Sequence, residues 1–143
     1  MTTSEKLRHG TAAWFEMVGN LMCEAARRSG IAPDTNVSLV ERYTDGATLS
    51  EGLVQGLRFD IVDGIPSFRA GARPDEWGDI TIEITTAAAK SLNLLLSADP
   101  AYGAATDHFM QSGAMRVHGD LSKLGEWLKH AHDPIVARTL RSC

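Results

Sequence analysis

A chain of 143 residues with a formal net charge of −4 and 22% charged residues has room for one domain, residues 1–143, and a core that needs no staples. Both signs of charge are scattered along it, which excludes the basic footprint of a nucleic-acid binder, and no apolar run approaches the roughly 18 residues of a membrane span. The two cysteines, Cys23 and Cys143, form neither a metal-ligand spacing nor a disulfide framework, and the opening MTTSEKLRHG lacks a leader's layout, so a reduced, cytoplasmic protein is expected.

Thr2 and Glu5 fit a capping box that predicts a first helix from the N-terminus, with Leu7, Trp14, Val18, Leu21 and Ala25 as its apolar stripe. Phe15 and Met22 widen that stripe, and Arg27 to Gly30 supply the basic last turn and terminal glycine of a helix end. Val37 to Thr44 reads as a strand closed by the Asp45-Gly46 turn. In the next strand Leu53, Leu57, Phe59 and Ile61 share one face and Arg58 and Asp60 the other, and Asp63-Gly64 turns the chain into a third strand, Ile65 to Ala70. After a loop over Gly71 to Gly78, Ile80, Ile82 and Ile84 alternate with Thr81, Glu83 and Thr85. Thr85 or Thr86 caps a helix over Ala87 to Ser97, and Asp99-Pro100 starts another that runs to about Met110.

The stretch SGAMRVHGDLSKL, Ser112 to Leu124, carries a strand, a turn and a helix start in thirteen residues. Met115 and Val117 alternate with Arg116 and His118, Gly119 permits a left-handed turn, and Asp120 caps a helix whose apolar positions are Leu121, Leu124, Leu128 and Ala131. Asp133-Pro134 predicts that this last helix breaks or kinks and resumes through Ile135 to Leu140. Strands early, helices at both ends and a late strand returning after two helices make an α+β fold, a sheet covered by helices.

This stretch, together with the order of elements around it, resembles the late strand, Gly-Asp turn and C-terminal helix of the sterol carrier protein type-two domain family. The resemblance implies a five-stranded, mostly antiparallel sheet covered on one face by helices, with an apolar tunnel between the layers for fatty acids, acyl-CoA or sterols. It implies no reactive residue. It also implies a terminal helix that covers the tunnel, so the segment after Pro134 is expected to act as a hinged lid or to be a simple capped end helix.

Side chains that could carry chemistry are few. No nucleophile elbow, phosphate loop or zinc-binding helix motif is present. The string HAHD, His130 to Asp133, spaces its histidines two apart, which suits dipole and capping roles better than metal binding, and His118 reads as an exposed strand residue. Glu41, Asp60 and Glu83 alternate with apolar neighbours and read as solvent-face or edge-of-pocket carboxylates. An enzyme on this scaffold, acting on a polyketide, terpenoid or steroid-like substrate, would draw its acid–base groups from His108, Glu83 and Asp60.

The apolar inventory points elsewhere. Leu92, Leu95, Phe109, Met110, Met115, Val117, Leu124, Trp127, Leu128 and Ile135 come from elements that face one another in the resembled fold, and they are the expected ligand lining. The expected function is non-enzymatic binding or carriage of a hydrophobic molecule, with no cofactor, no metal and no stable membrane insertion. An accessory interaction module is the third reading, with the apolar face of the first helix, Trp14, Phe15, Val18 and Met22, docking a partner or a second copy as a homodimer.

Overall fold

The computed structural model describes residues 5–141, so Thr2 of the expected capping box and Cys143 lie outside the described residues. The first helix, α1 (Ala12–Ser29), begins later than the capping box predicts. Gly10 takes a φ of 87°, the Thr11 side chain accepts a hydrogen bond from the Trp14 amide, and Leu7 instead bridges Thr139. Its far end is as expected, with Arg27 and Arg28 in the last turn and Gly30 left-handed at φ 74°.

Among the described residues six strands follow rather than five: β1 (Val37–Tyr43), β2 (Thr48–Ser50), β3 (Leu53–Val62), β4 (Ile65–Ala72), β5 (Ile80–Ile84) and, after two helices, β6 (Met115–His118). The extra strand is β2, three residues that pair with the start of β3 across a register shift and are too short to show a period in sequence. The path through the sheet is β2-β3-β1-β5-β6, with β4 also paired to β3. Every pairing is antiparallel except β1 with β5, which is parallel and aligns Leu39 with Ile80. Asp63 and Gly64, both at positive φ, form the expected two-residue hairpin turn.

The return from β4 to β5 runs through residues 73–79, which cover the outer face of the sheet. There Arg42, 8% exposed, donates from Nε to the Glu76 carbonyl (2.8 Å) and from Nη1 to the Pro74 carbonyl (3.0 Å), and pairs with Glu83 at 3.2 Å. Glu76 in turn holds Arg58 at 3.0 Å and Arg69. The outer face is therefore polar but fastened, and the apolar rows of the sheet point to the other side.

That inner face is covered by α1, α2 (Thr86–Leu92), α3 (Pro100–Ser112) and α4 (Trp127–Ala137). Thr85 and Asp99 cap α2 and α3 as their sequences predict. Beyond β6, Gly119 at φ 94° and Asp120 lead into a short 3-10 turn, Leu121–Lys123, before α4 begins. The expected break at Asp133-Pro134 does not occur: α4 continues through Pro134. Proline deletes one helical hydrogen bond, yet Ala131, Ile135 and Val136 are buried on either side of it and hold the helix together. Past its end Leu7 donates to Arg138 O (2.7 Å) and Leu140 donates to Leu7 O (2.9 Å). The C-terminal segment is thus stitched to the chain's beginning, which leaves no hinge for a lid at this proline.

Trp14, Phe15, Met17, Val18 and Met22 are buried in the core, with Trp14 Nε1 donating to Thr139 Oγ1 at 2.9 Å. The face of α1 offered above for docking a second copy is consumed inside the chain. None of the described helices is long and apolar enough to cross a membrane. α1 comes so close to β4 that a Cβ at Gly19 would collide with the Phe68 ring. Gly19→Ala is expected to destabilise the fold by about 1–3 kcal/mol through overpacking, read from denaturant unfolding; an unchanged midpoint would show that the helix is free to move away.

Candidate functional site

Pleating sends alternate residues of a strand to opposite faces. In β1, Arg42 lies on the fastened outer face, so Leu39, Glu41 and Tyr43 point inward. The register then builds a row across the inner face: Ala70, Leu57, Glu41, Ile82 and Val117. One carboxylate stands in an otherwise apolar row beneath the helices.

The helical layer does not close down on that row. α1 packs tightly over β3 and β4, whereas α3 has no buried residue and rests half-exposed above β5 and β6. Between the layers lies a cavity of about 520 Å³, with Ile82, Ile84, Met115 and Val117 as its floor and Ala89, Leu92, Tyr102, Met110 and Leu128 among its walls and roof. A second lobe of about 270 Å³ extends toward α1, lined by Trp14, Val18, Met22, Leu39, Leu57 and Ile135. Glu41, Ile82, Asn93, Tyr102, Leu128 and His132 border both lobes, so the two meet above Glu41.

Four polar side chains converge at that junction. Among the described residues neither the Glu41 carboxyl nor the Tyr102 hydroxyl is engaged in a hydrogen bond, and burial alone pushes the Glu41 carboxyl up to about 7. Burial, with the charges of Asp133 and Glu41, also raises the Tyr102 phenol. Asn93 Nδ2 donates to Ala89 O (2.8 Å), which leaves its side-chain oxygen as an acceptor. His132 Nε2 lies 2.8 Å from Leu95 O, and since a carbonyl can only accept, that nitrogen carries the hydrogen and Nδ1 is left over. The Tyr102 and His132 rings are in contact, with centroids 4.6 Å apart.

Capping contacts hold the roof at this height. Asp45, in the turn after β1, accepts from the Thr86 amide (2.7 Å) and hydroxyl (2.9 Å) and so fixes where α2 leaves the sheet. Asp133 accepts from the Ser97 amide and hydroxyl, both at 2.8 Å, and ties α4 to the segment between α2 and α3. The HAHD string therefore serves as a fastening, and no group of three or more potential metal ligands occurs among the described residues.

Of the ten residues expected as lining, Leu92, Met110, Met115, Val117 and Leu128 border the larger lobe and Leu128 and Ile135 the smaller. Leu124 and Trp127 instead belong to the core: Trp127 donates to Leu124 O at 2.6 Å and packs on Phe59, with centroids 5.2 Å apart. Phe109 packs half-buried against the core, and Leu95 contributes its carbonyl to His132. The three acid–base candidates do not border the cavity. His108 is exposed on α3, Asp60 pairs with Arg58 on the outer face, and Glu83 is held by His118 at 2.8 Å and by Arg42, which lower its pKa. The residue with a shifted carboxyl in an apolar site is Glu41. Its signal was its phase, since it alternates with Leu39 and Tyr43.

No family model and no curated protein sequence matches this chain. Solved structures do. A conserved hypothetical protein from Thermus thermophilus, described as possibly a sterol carrier protein, shares 16% identity over 97% of this chain and 96% of its own, with a TM-score of 0.52. Sterol carrier protein 2 shares 16% identity over 92% of this chain and 98% of its own, with a TM-score of 0.50. The fold is that of the sterol carrier protein type-two domain. Within this sterol-carrier fold the layer interface carries the junction described above, and Glu41 is the group that makes it polar.

That group gives the fold a pH signature. Between the ordinary carboxyl value of 4.5 and about 7 the unfolded chain ionises Glu41 while the folded chain keeps its proton, so stability falls as pH rises through this window and stays lowered above it. Glu41→Gln removes the penalty. Relative to the native chain its unfolding free energy should rise by about 2 kcal/mol more at about pH 8 than at about pH 4, allowing for water in the cavity; an equal difference at both would show that the carboxyl is well solvated.

Proposed function

We propose that this protein binds and carries a hydrophobic small molecule, of the fatty acid, acyl-CoA or sterol-like class, between its sheet and its helices. The observation that supports this reading is the two-lobed cavity between sheet and helices, apolar over most of its lining. Ligand sites are typically concave, mostly apolar and already formed in the free protein. Each methylene moved from water into such a space contributes about 0.8 kcal/mol, so a long chain needs few polar contacts to be held. Met110, 45% exposed on α3, stands where the larger lobe reaches the surface and supplies a flexible edge for entry. Carriage within the cytoplasm is part of the same reading.

Displacement of a fluorescent fatty acid from the purified protein, with native mass spectrometry for a copurifying lipid, tests the proposal. Ile82→Trp and Val117→Phe each place bulk on the cavity floor and should weaken binding by about tenfold or more while the protein remains folded by circular dichroism. No binding of fatty acid, acyl-CoA or sterol to the native chain, or binding untouched by both substitutions, would overturn it.

A further inference from the structure

An apolar tunnel needs no carboxyl group at its midpoint. Leu or Ile at position 41 would complete the row from Ala70 to Val117, and the burial penalty on an unpaired acid works against keeping one there. Glu41 also does not stand alone. Asn93 reaches the same point from the end of α2, Tyr102 from α3 and His132 from α4, so four elements of both layers aim polar atoms at one place. No hydrogen bond joins these four side chains to one another among the described residues, and their spare capacity is complementary: an acid that donates and accepts, a hydroxyl that does both, an amide oxygen that accepts, and the second nitrogen of an imidazole. Apolar space continues on both sides, about 520 Å³ in one direction and about 270 Å³ in the other. A polar group seated here therefore lies inside the ligand's skeleton, away from its ends.

We propose that this junction recognises a neutral oxygen function, a hydroxyl or a ketone, in the interior of a long hydrophobic ligand. A hydroxyl donates to the Asn93 oxygen or to His132 and accepts from Glu41 or Tyr102; a ketone accepts from Glu41 and Tyr102. A ligand carboxylate is turned away from this point, because burying its charge in an apolar space is unfavourable, the more so once Glu41 has itself ionised. An unsubstituted chain leaves the spare hydrogen-bonding capacity of these groups unmet. The proposal rests on the carrier reading above and says which ligands that carrier prefers.

The titratable and charged groups that face Glu41 are Tyr43 on its own strand, with His9 against that ring, Tyr102 from α3, and Lys129 and His132 from α4 with Asp133 next to them. The side chains that α1, α2, β3, β5 and β6 contribute to the lining are uncharged. Glu41 is the group whose proton a ketone needs, and it loses that proton as pH rises through about 7. A hydroxyl still donates to the resulting carboxylate. The two functions are therefore separated by pH.

The test is competition against a fluorescent fatty acid by octadecanoic acid and its mid-chain hydroxy, keto and amino derivatives, on the full chain. At about pH 6 the hydroxy and keto acids should compete about tenfold better than the unsubstituted acid. Raising the pH to about 8.5 should erase most of the keto advantage and leave the hydroxy advantage standing. Glu41→Leu should weaken both preferences, the keto preference more, whereas Glu41→Gln should keep a keto preference that no longer falls between these two pH values. Should the leucine variant fail to fold, Glu41→Gln and Tyr102→Phe carry the comparison, the latter weakening the keto preference. Equal competition by all derivatives in the native chain would overturn the recognition site and leave the carrier reading intact. Preference for the amino derivative would overturn the ligand chemistry, and failure of every probe, octadecanoic acid included, would remove the carrier reading and this inference with it.

Discussion

The placement of Arg42 governs the site. Its guanidinium is held on the outer face of the sheet by two carbonyls of the loop at 73–79 and by Glu83, with the Trp77 ring 5.1 Å away. Alternation along a strand leaves the preceding residue no choice, so Glu41 must face the helices. A slip of one residue in β1 would bury Arg42 without partners and send Leu39 and Tyr43 into the polar layer. Two opposite charges adjacent in sequence are thereby kept apart by the sheet, and the carboxyl is denied its most obvious counter-ion. The same loop carries the chain across the sheet so that β5 lies parallel to β1, which places Ile82 beside Glu41.

The cavity results from an uneven helical layer. α1 lies close on β3 and β4, with Gly19 against Phe68, and its large aromatic residues complete the core on that side. Over β5 and β6 the covering pieces are a seven-residue helix, a helix with no buried residue, and the start of α4. These are positioned chiefly by directional contacts: Asp45 to Thr86, Asp133 to Ser97 and His132 to Leu95. Hydrogen bonds and caps fix a height without requiring the space beneath to be filled. Where capping sets the height, over β5 and β6, there is room for a ligand, and that room runs on toward α1 as the smaller lobe.

The polar junction belongs to the same arrangement. Its members are drawn from the inner face of β1, the end of α2, the body of α3 and the middle of α4, and they retain free hydrogen-bonding capacity because their other neighbours there are apolar. The outer-face carboxylates show the contrast. Glu83, Asp60 and Glu76 each meet an arginine, whereas Glu41 meets Leu57, Ile82 and the cavity. Pairing leaves a carboxylate ionised, and isolation in an apolar site keeps its proton on.

Local signals in the sequence determined most of the elements. Alternation marked β5 and β6, Asp63-Gly64 marked the hairpin, Thr85 and Asp99-Pro100 marked two helix starts, and Gly30 marked a helix end, because each rests on dihedral preferences or hydrogen bonds within a few residues. The order of those elements was enough for the fold. The tertiary structure decided what stands over each face. Parity along β1 puts Glu41 in phase with Leu39 and Tyr43, yet only the loop that captures Arg42 shows which face is covered by helices. The same holds for Trp127 and Leu128, one closing the core on Phe59 and the other lining the cavity, although both are apolar and adjacent. It holds too for Pro134, tolerated in mid-helix because buried neighbours on both sides outweigh one missing hydrogen bond. Sequence spacing sets direction, and whether a direction ends in packing, water or empty space depends on elements far away along the chain.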